Sequence, residues 1–336
     1  MKKDLISIKD LSVQEIEELF NLTVELKRNK AKFNKALAGK TLALIFQKPS
    51  NRTRVSFEVG MYQLGGYSIY LSPGEINLGV RETVKDAAKT ISRYVDGIVL
   101  RTFDHQNCLD MASASGVPVI NGLSDFSHPC QALADLFTIG EKFSRLSNAS
   151  QKVAKRLKGI TLAYVGDGNN VCNSLLFAAA KTGMNIAVAT PAGYAPDPEV
   201  VKQAKEIAKQ TFSQITITDD PLSAVNGAQV VYTDVWASMG QEEEISKRKI
   251  IFKNFQINAR LLTNAAPGVL VMHCLPAHRG EEITDDVMDS KSSIVFDQAA
   301  QGLKNQGKVL FFYYRHSREN GNLKNITVPE ILIPEA

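Results

Sequence analysis

The chain has 336 residues, enough for two domains of ordinary size, with 44% hydrophobic and 22% charged residues and a formal net charge of +4. That balance excludes a disordered chain and a basic nucleic-acid binder: the densest basic stretch, Lys152 to Lys158, reads as a solvated helix face. Cys108, Cys130, Cys172 and Cys274 have no paired spacing, which excludes a disulfide scaffold or zinc knuckle and points to a reducing, cytoplasmic compartment; no run reaches the ~18 apolar residues of a membrane helix, and no signal-peptide core follows Met1.

In chain order, Ser12-Val13-Gln14-Glu15 is a capping box, and Ile16, Leu19, Phe20 and Val24 lay an apolar stripe along the helix it opens. The apolar run Thr41–Phe46 reads as a strand. Pro49 ends its ladder and Ser50 caps a helix carrying Val55, Val59 and Leu64, which Gly65-Gly66 stops. A strand at Tyr67–Leu71 leads into a polar loop, Ser72 to Arg81, with too little apolar content for core. Helix at Glu82–Tyr94, strand at Gly97–Leu100 ending in Arg101, helix at Gln106–Ser115 and strand at Val117–Asn121 follow. Ser127-His128-Pro129-Cys130-Gln131 opens a long helix with Pro129 at its favoured first position, and the polar segment Ser144 to Lys158 reads as a domain boundary.

The second half repeats the alternation. Strands are expected at Ile160–Val165, Ile186–Ala189, Ile215–Thr218, Val230–Asp234, Val269–His273 and Ile294–Phe296. Helices are expected at Asn170–Thr182, Pro198–Gln210, Pro221–Asn226 and across Glu242–Thr263. Alternating strands and helices imply parallel pairing with helices on both faces, so the expected fold is α/β with two doubly wound parallel-sheet domains. In such sheets ligands bind at the carboxyl ends of strands. Ser50–Arg54, Arg101, His128, Gly166–Asn170, Asp234 and His273–Pro276 all fall there, which suggests one cleft between the domains.

Each motif has a plain alternative. Ser50-Asn51-Arg52-Thr53-Arg54 is either a capped helix with two solvated arginines or a site where free backbone N–H groups and guanidinium forks meet a phosphate. Gly166-Asp167-Gly168-Asn169-Asn170 has the spacing of a dinucleotide turn, but Val171 stands at the third glycine position and Ala189-Thr190 ends the next strand where an acidic residue would hold a ribose. A tight Asx-capped turn fits better, and an amide aimed into the cleft better still. His128 is a helix cap or a donor to a carbonyl oxygen. Asp234 is a turn cap or a partner for an ammonium, and Cys274 is inert core or part of the site. Zinc on His273 and Cys274 is not expected, since adjacent strand residues point to opposite faces.

Five segments in order resemble the carbamoyltransferases, specifically the branch that takes ornithine: Phe46–Arg54, His128–Gln131, Gly166–Asn170, Asp234–Gly240 and His273–Gly280. The resemblance implies an enzyme that moves the carbamoyl group of carbamoyl phosphate to the δ-amine of L-ornithine, giving citrulline and phosphate in arginine metabolism, without cofactor or metal. It implies a carbamoyl phosphate domain at 1–145, an ornithine domain at 150–310 and a tail at 311–336 returning to the first. Ser50, Asn51, Arg52 and Thr53 would hold the phosphate and Arg101, His128 and Gln131 the carbamoyl group, with catalytic work falling to Arg101, His128 and Cys274. Cys274 and Leu275 would line the point of attack, and Asn170, Asp234, Ser238 and Met239 would hold ornithine. Asn77 and Arg81 would reach a neighbour's site in a homotrimer; neither nucleic acid nor membrane is implied as a partner. Two departures stand out: Asn51 replaces the usual Thr, and Gly302 stands where the family carries an Arg that touches carbamoyl phosphate. The second raises a rival reading, a catalytically weakened homologue that binds carbamoyl phosphate or serves as a regulatory subunit, or a carbamoyltransferase for a related amine. A third reading, a nicotinamide dehydrogenase, rests on Gly166 and Gly168 alone.

Overall fold

Ser12 opens the first helix through the expected reciprocal cap, its Oγ accepting from Glu15 N at 3.1 Å while Glu15 accepts from Ser12 N at 2.8 Å. The structure is a computed structural model and describes residues 3–143, 153–237, 242–302 and 312–313. In its first half α1 (Val13–Arg28) and α2 (Lys30–Phe33) precede β1 (Thr41–Phe46), α3 (Asn51–Gln63), β2 (Tyr67–Leu71), α4 (Pro73–Ile76) and α5 (Val84–Ile91). Then come β3 (Gly97–Arg101), α6 (His105–Ala114), β4 (Val119–Leu123) and α7 (Pro129–Lys142). The second half holds β5 (Thr161–Val165), α8 (Asn170–Thr182), β6 (Asn185–Ala189), α9 (Pro198–Thr211), β7 (Ile215–Thr218), α10 (Pro221–Val225) and β8 (Val230–Thr233). It continues with α11 (Ile245–Ile251), α12 (Ala259–Leu262), β9 (Leu270–His273) and α13 (Asp285–Met288).

Two wholly parallel sheets result, ordered β2-β1-β3-β4 and β7-β6-β5-β8-β9. Burial on both faces explains why the inner strands β1, β3, β5 and β8 are largely apolar runs, while the edge strands β2 and β7 are partly exposed. Leu42, Leu44 and Phe46 of β1 enter one core cluster while Ala43 and Ile45 enter another. Leu162 and Tyr164 of β5 share that first cluster, and Ala163 and Val165 face a third. One core therefore runs from the first sheet through α7 and α8 to the second. The direction of strand succession reverses beside β1 and beside β5, the places where ligands bind in such sheets, and residues from the strand ends of both halves line one cleft.

Two expectations need correction. Ile294–Phe296 is not a strand. Ser293 makes a single bridge to Val271, Ile294 N donates to Val271 O at 2.9 Å, and residues 295–302 then turn helical. A short Ile-Val-Phe run fits either state, and the polar residues after it suit a helix. The loop Ser72 to Arg81 does reach core: it contains α4, and Ile76 and Leu78 are buried beside Val84. The span Glu242–Thr263 is helical material as expected, in the separate pieces α11, α12 and two 3-10 turns. At the end of the polar segment Ser144 to Lys158, Val153 and Leu157 are buried, and a Cβ on Gly140 would meet Val153 Cγ1 at 2.6 Å. Residues 144–152 of that segment lie outside the described residues.

Candidate active site

The carboxyl ends of β1 and β3 and the start of α7 supply the first wall of a cleft of about 670 Å³. Ser50 is the N-cap of α3, as its sequence position implies: its Oγ accepts from Thr53 N at a long 3.4 Å and its hydroxyl donates to Thr53 Oγ1 at 3.0 Å. Ser50, Asn51, Arg52 and Thr53 line the cleft. Arg54 does not: its Nε donates to Glu58 at 2.9 Å and its guanidinium lies 3.8 Å from the Tyr70 ring centroid. One of the two arginines thus makes an ordinary i,i+4 pair and a cation–π contact on the flank of α3.

Arg101, the last residue of β3, and His128, the cap of α7, are 7% and 8% exposed. Arg101 Nε and His128 Nδ1 are buried without a hydrogen-bond partner among the described residues, and both residues line the cleft. Burial, with the Arg52 charge behind it, lowers the Arg101 pKa to about 10, so the guanidinium stays charged at neutral pH. Burial, then the Arg101 charge, lowers His128 to about 3, so its imidazole is neutral. The His128 backbone N–H donates to Ser174 Oγ on α8 at 2.9 Å, which ties this corner to the second half.

The opposite wall comes from the ends of β5, β8 and β9. Asn169 caps α8 through its Oδ1, and its Nδ2 donates to Asp234 Oδ2 at 2.8 Å. Asp234 Oδ1 accepts from Val235 N at 2.8 Å and from the Cys274 thiol at 2.8 Å. Burial first and the Asp234 carboxylate second push the Cys274 thiol well above its ordinary range, so it is a protonated donor and not a thiolate nucleophile. Asn170 lines the cleft while its Nδ2 donates to Ser124 O at 2.6 Å, a bond across the two halves. Leu275 takes a left-handed φ of 60°, held by its N–H donating to His273 Nδ1 at 2.8 Å. Ser238 and Met239 lie outside the described residues.

The structure brings together Ser50, Asn51, Arg52, Thr53, Arg101, His128, Gln131, Asn170, Asp234, Cys274 and Leu275. Asn77 and Arg81 stand apart from this lining; Asn77 has a φ of 45° and Gln47 Nε2 pins the loop at Leu78 O, 2.9 Å away. The opposite-face argument against zinc fails, because Cys274 lies just past β9 and ligand atoms of Asp234, His273 and Cys274 sit within 4.8 Å of one another. Hydrogen bonds engage all three side chains: His273 Nε2 meets Glu282 Oε1 at 2.9 Å and its Nδ1 accepts from Leu275.

The dinucleotide turn is also decided by packing. A Cβ on Gly168 would lie 2.3 Å from Pro196 N and 2.5 Å from Ala195 C, so this glycine exists for the approach of the chain's own backbone. Reading motifs alone missed three lining or supporting residues. Lys48 is buried in the cleft wall with its ammonium 4.1 Å from the Phe103 ring centroid. Asp135 and Gln298 form a buried bond at 2.7 Å across the two halves. The available signal for Asp135 was a carboxylate four residues after Gln131, in the middle of an otherwise apolar helix.

The chain is similar along almost its whole length to proteins of known kind. Residues 3–141 match the family model for the carbamoyl-P binding domain of aspartate/ornithine carbamoyltransferase, and residues 158–313 match the model for its Asp/Orn binding domain. Ornithine carbamoyltransferase of Thermococcus kodakarensis is 51% identical over 311 residues, covering 92% of this chain and 95% of that one. The Pyrococcus furiosus protein named ornithine carbamoyltransferase, anabolic, is 49% identical over 310 residues, with 92% and 95% covered. A solved ornithine carbamoyltransferase structure from P. furiosus superposes with a TM-score of 0.86, covering 92% of this chain and 96% of that one.

Proposed function

The chain belongs to the aspartate/ornithine carbamoyltransferase family, and from that premise we propose how its cleft works. It is an enzyme that transfers the carbamoyl group of carbamoyl phosphate to the δ-amine of L-ornithine, giving L-citrulline and phosphate. Our reading takes 1–145 as the carbamoyl phosphate domain, 150–310 as the ornithine domain and 311–336 as a tail returning to the first. Tyr313, fully buried beside Leu37, Thr41 and Met61, supports that return.

The observation that carries the mechanism is the placement of buried Arg101 and His128 in the cleft lining beside the N-terminus of α3, with Arg101 Nε and His128 Nδ1 unpartnered among the described residues. The phosphate sits on the α3 turn, where backbone N–H groups and Arg52 meet its oxygens. Charged Arg101 and neutral His128 hydrogen-bond the carbonyl oxygen and stabilise the negative charge that grows there as the amine adds. A neutral imidazole gives this bond without trading a proton with the intermediate. Ornithine lies against the opposite wall, its α-ammonium on Asp234 with Asn170, Ser238 and Met239 around it, and its δ-amine near Cys274 and Leu275. Asp234 is anchored by Asn169, Val235 and the Cys274 thiol, which fixes where the ammonium docks. An alkylammonium loses its proton only near pH 10.4, so the site has to favour the neutral amine, and the departing phosphate takes the proton released on attack.

Asn77 and Arg81, on an exposed loop outside their own cleft, support a site shared with a neighbour in a homotrimer. Four free cysteines support a reducing, cytoplasmic setting. The relative named anabolic supports citrulline formation as the working direction. Assay of citrulline from carbamoyl phosphate and ornithine tests the reading: turnover with a different amine and none with ornithine overturns it.

A further inference from the structure

One buried carboxylate has no part in that reaction and lies one helical turn behind Gln131. Asp135 is fully buried in α7, and three donors converge on it: Gln131 Nε2 at 2.8 Å and Gln298 Nε2 at 2.7 Å on Oδ1, and the Tyr232 hydroxyl at 3.0 Å on Oδ2. Gln298 spends its Oε1 on the His273 backbone N–H at 3.0 Å, so its NH2 is committed to the same side. An ionised carboxylate accepts and has no hydrogen to give. The Gln131 amide therefore turns its NH2 inward, and its carbonyl oxygen is the atom left for the cleft that Gln131 lines. A carbamoyl group carries an NH2 that needs an acceptor, whereas an acetyl group of almost the same shape presents a methyl.

We propose that Asp135 is a positioning residue that locks the Gln131 amide with its acceptor toward the cleft, and so makes the site select a carbamoyl over an acetyl group on the same phosphate. The inference rests on the carbamoyl phosphate reading above. Burial raises the Asp135 pKa to about 7 against the opposing pull of its three donors. The ionisable groups that face it are Tyr232 on β8, Asp234 just past β8 and Cys274 just past β9; Asp234 pushes the same way as burial. Once protonated, Asp135 can donate, and the Gln131 amide is free to flip. Selectivity then falls as pH drops through about 7.

The test compares the KM of carbamoyl phosphate with the inhibition constant of acetyl phosphate in the full-length enzyme, in Asp135→Asn, in Gln131→Ala and in the double variant. Asp135→Asn should raise the carbamoyl phosphate KM by about tenfold, the cost of one mispaired buried hydrogen bond, and leave acetyl phosphate within about twofold. The two single effects should not add, since one acts through the other. Equal weakening of both ligands, or additive effects, overturns the proposal. Should Asp135→Asn fail to fold, the unmodified enzyme decides: the preference for carbamoyl over acetyl phosphate should shrink between about pH 8 and about pH 6, and a constant preference is fatal. Absence of citrulline formation in the unmodified enzyme refutes the underlying reading instead. Normal turnover with unaltered discrimination refutes only the role of Asp135.

Discussion

His128 holds a neutral ring in a place where a histidine in water would be half protonated just below neutrality. On the proposed mechanism it donates to a carbonyl oxygen whose charge grows during the reaction, so His128→Ala should lower kcat by about 10²–10³-fold with a smaller change in KM for ornithine, measured by steady-state citrulline formation. The same burial makes a stability statement. The folded pKa is about 3 against ~6.5 unfolded, so in that window the unfolded chain binds the extra proton and stability is lost as pH falls. A His128→Asn variant lacks this loss. Relative to the unmodified chain it should gain about 2 kcal/mol between pH 7 and pH 5 in urea unfolding; an unchanged gap would mean that the ring is not desolvated. Asp135, whose folded pKa is raised to about 7, has the opposite slope between ~3.8 and 7 but contributes equally to both proteins. The sequence offered His128 as a donor or a cap; it stands at the N-cap position of α7 without a side-chain cap bond, and that burial, then the Arg101 charge, would keep its ring neutral needed coordinates.

At the scale of elements, strand-turn-helix junctions carry the site, and two glycines show how differently such junctions are built. Gly168 sits against the Tyr194–Pro196 backbone, so Gly168→Ala should displace that loop and the Asn169 cap behind it, raising the ornithine KM at least tenfold while the carbamoyl phosphate KM holds, in initial-rate measurements. A loss confined to carbamoyl phosphate would contradict this. Gly302 ends the described helix with open space around its missing Cβ and faces the cleft. Gly302→Arg should therefore fold with equal or greater stability, because a helix gains up to about 1 kcal/mol when Gly is replaced, and its cation should lower the carbamoyl phosphate KM several-fold. Thermal unfolding and steady-state kinetics check the two halves separately. Local signals located most elements because caps and apolar runs act within a few residues: β1, β2 and α8 fall where sequence places them. Ile294–Phe296 misled because three apolar residues do not separate strand from helix, and the edge of β9 accepts one bridge before the chain turns.

Across the whole molecule, one core runs from the first sheet through α7 and α8 to the second, and the polar bonds Asn170 to Ser124 and His128 to Ser174 join the two halves beside the cleft. The shared-site reading of Asn77 and Arg81 makes a mixing prediction. Arg81→Ala and Arg101→Ala should each be inactive alone, and subunit exchange between them should restore part of the activity. No restoration, or a mass in light scattering that is not a multiple of three times the 36.8 kDa chain, would count against a trimer with shared sites.

The sequence by itself determined the α/β alternation, the strand-end positions of Ser50–Thr53, Arg101, His128, Asp234 and Cys274, and through five ordered motifs the reaction, because each depends on neighbours in the chain or on residue type. Tertiary structure alone decided which arginine of the Ser50–Arg54 turn faces the cleft, why Gly168 is a glycine, and that Cys274 is a hydrogen-bonded thiol. It also decided that Asp135, Tyr232 and Gln298, spread over 163 residues of sequence, share one buried network behind Gln131. Burial, desolvation and the pairing of distant donors arise only when the two halves close on each other, so no local pattern carries them.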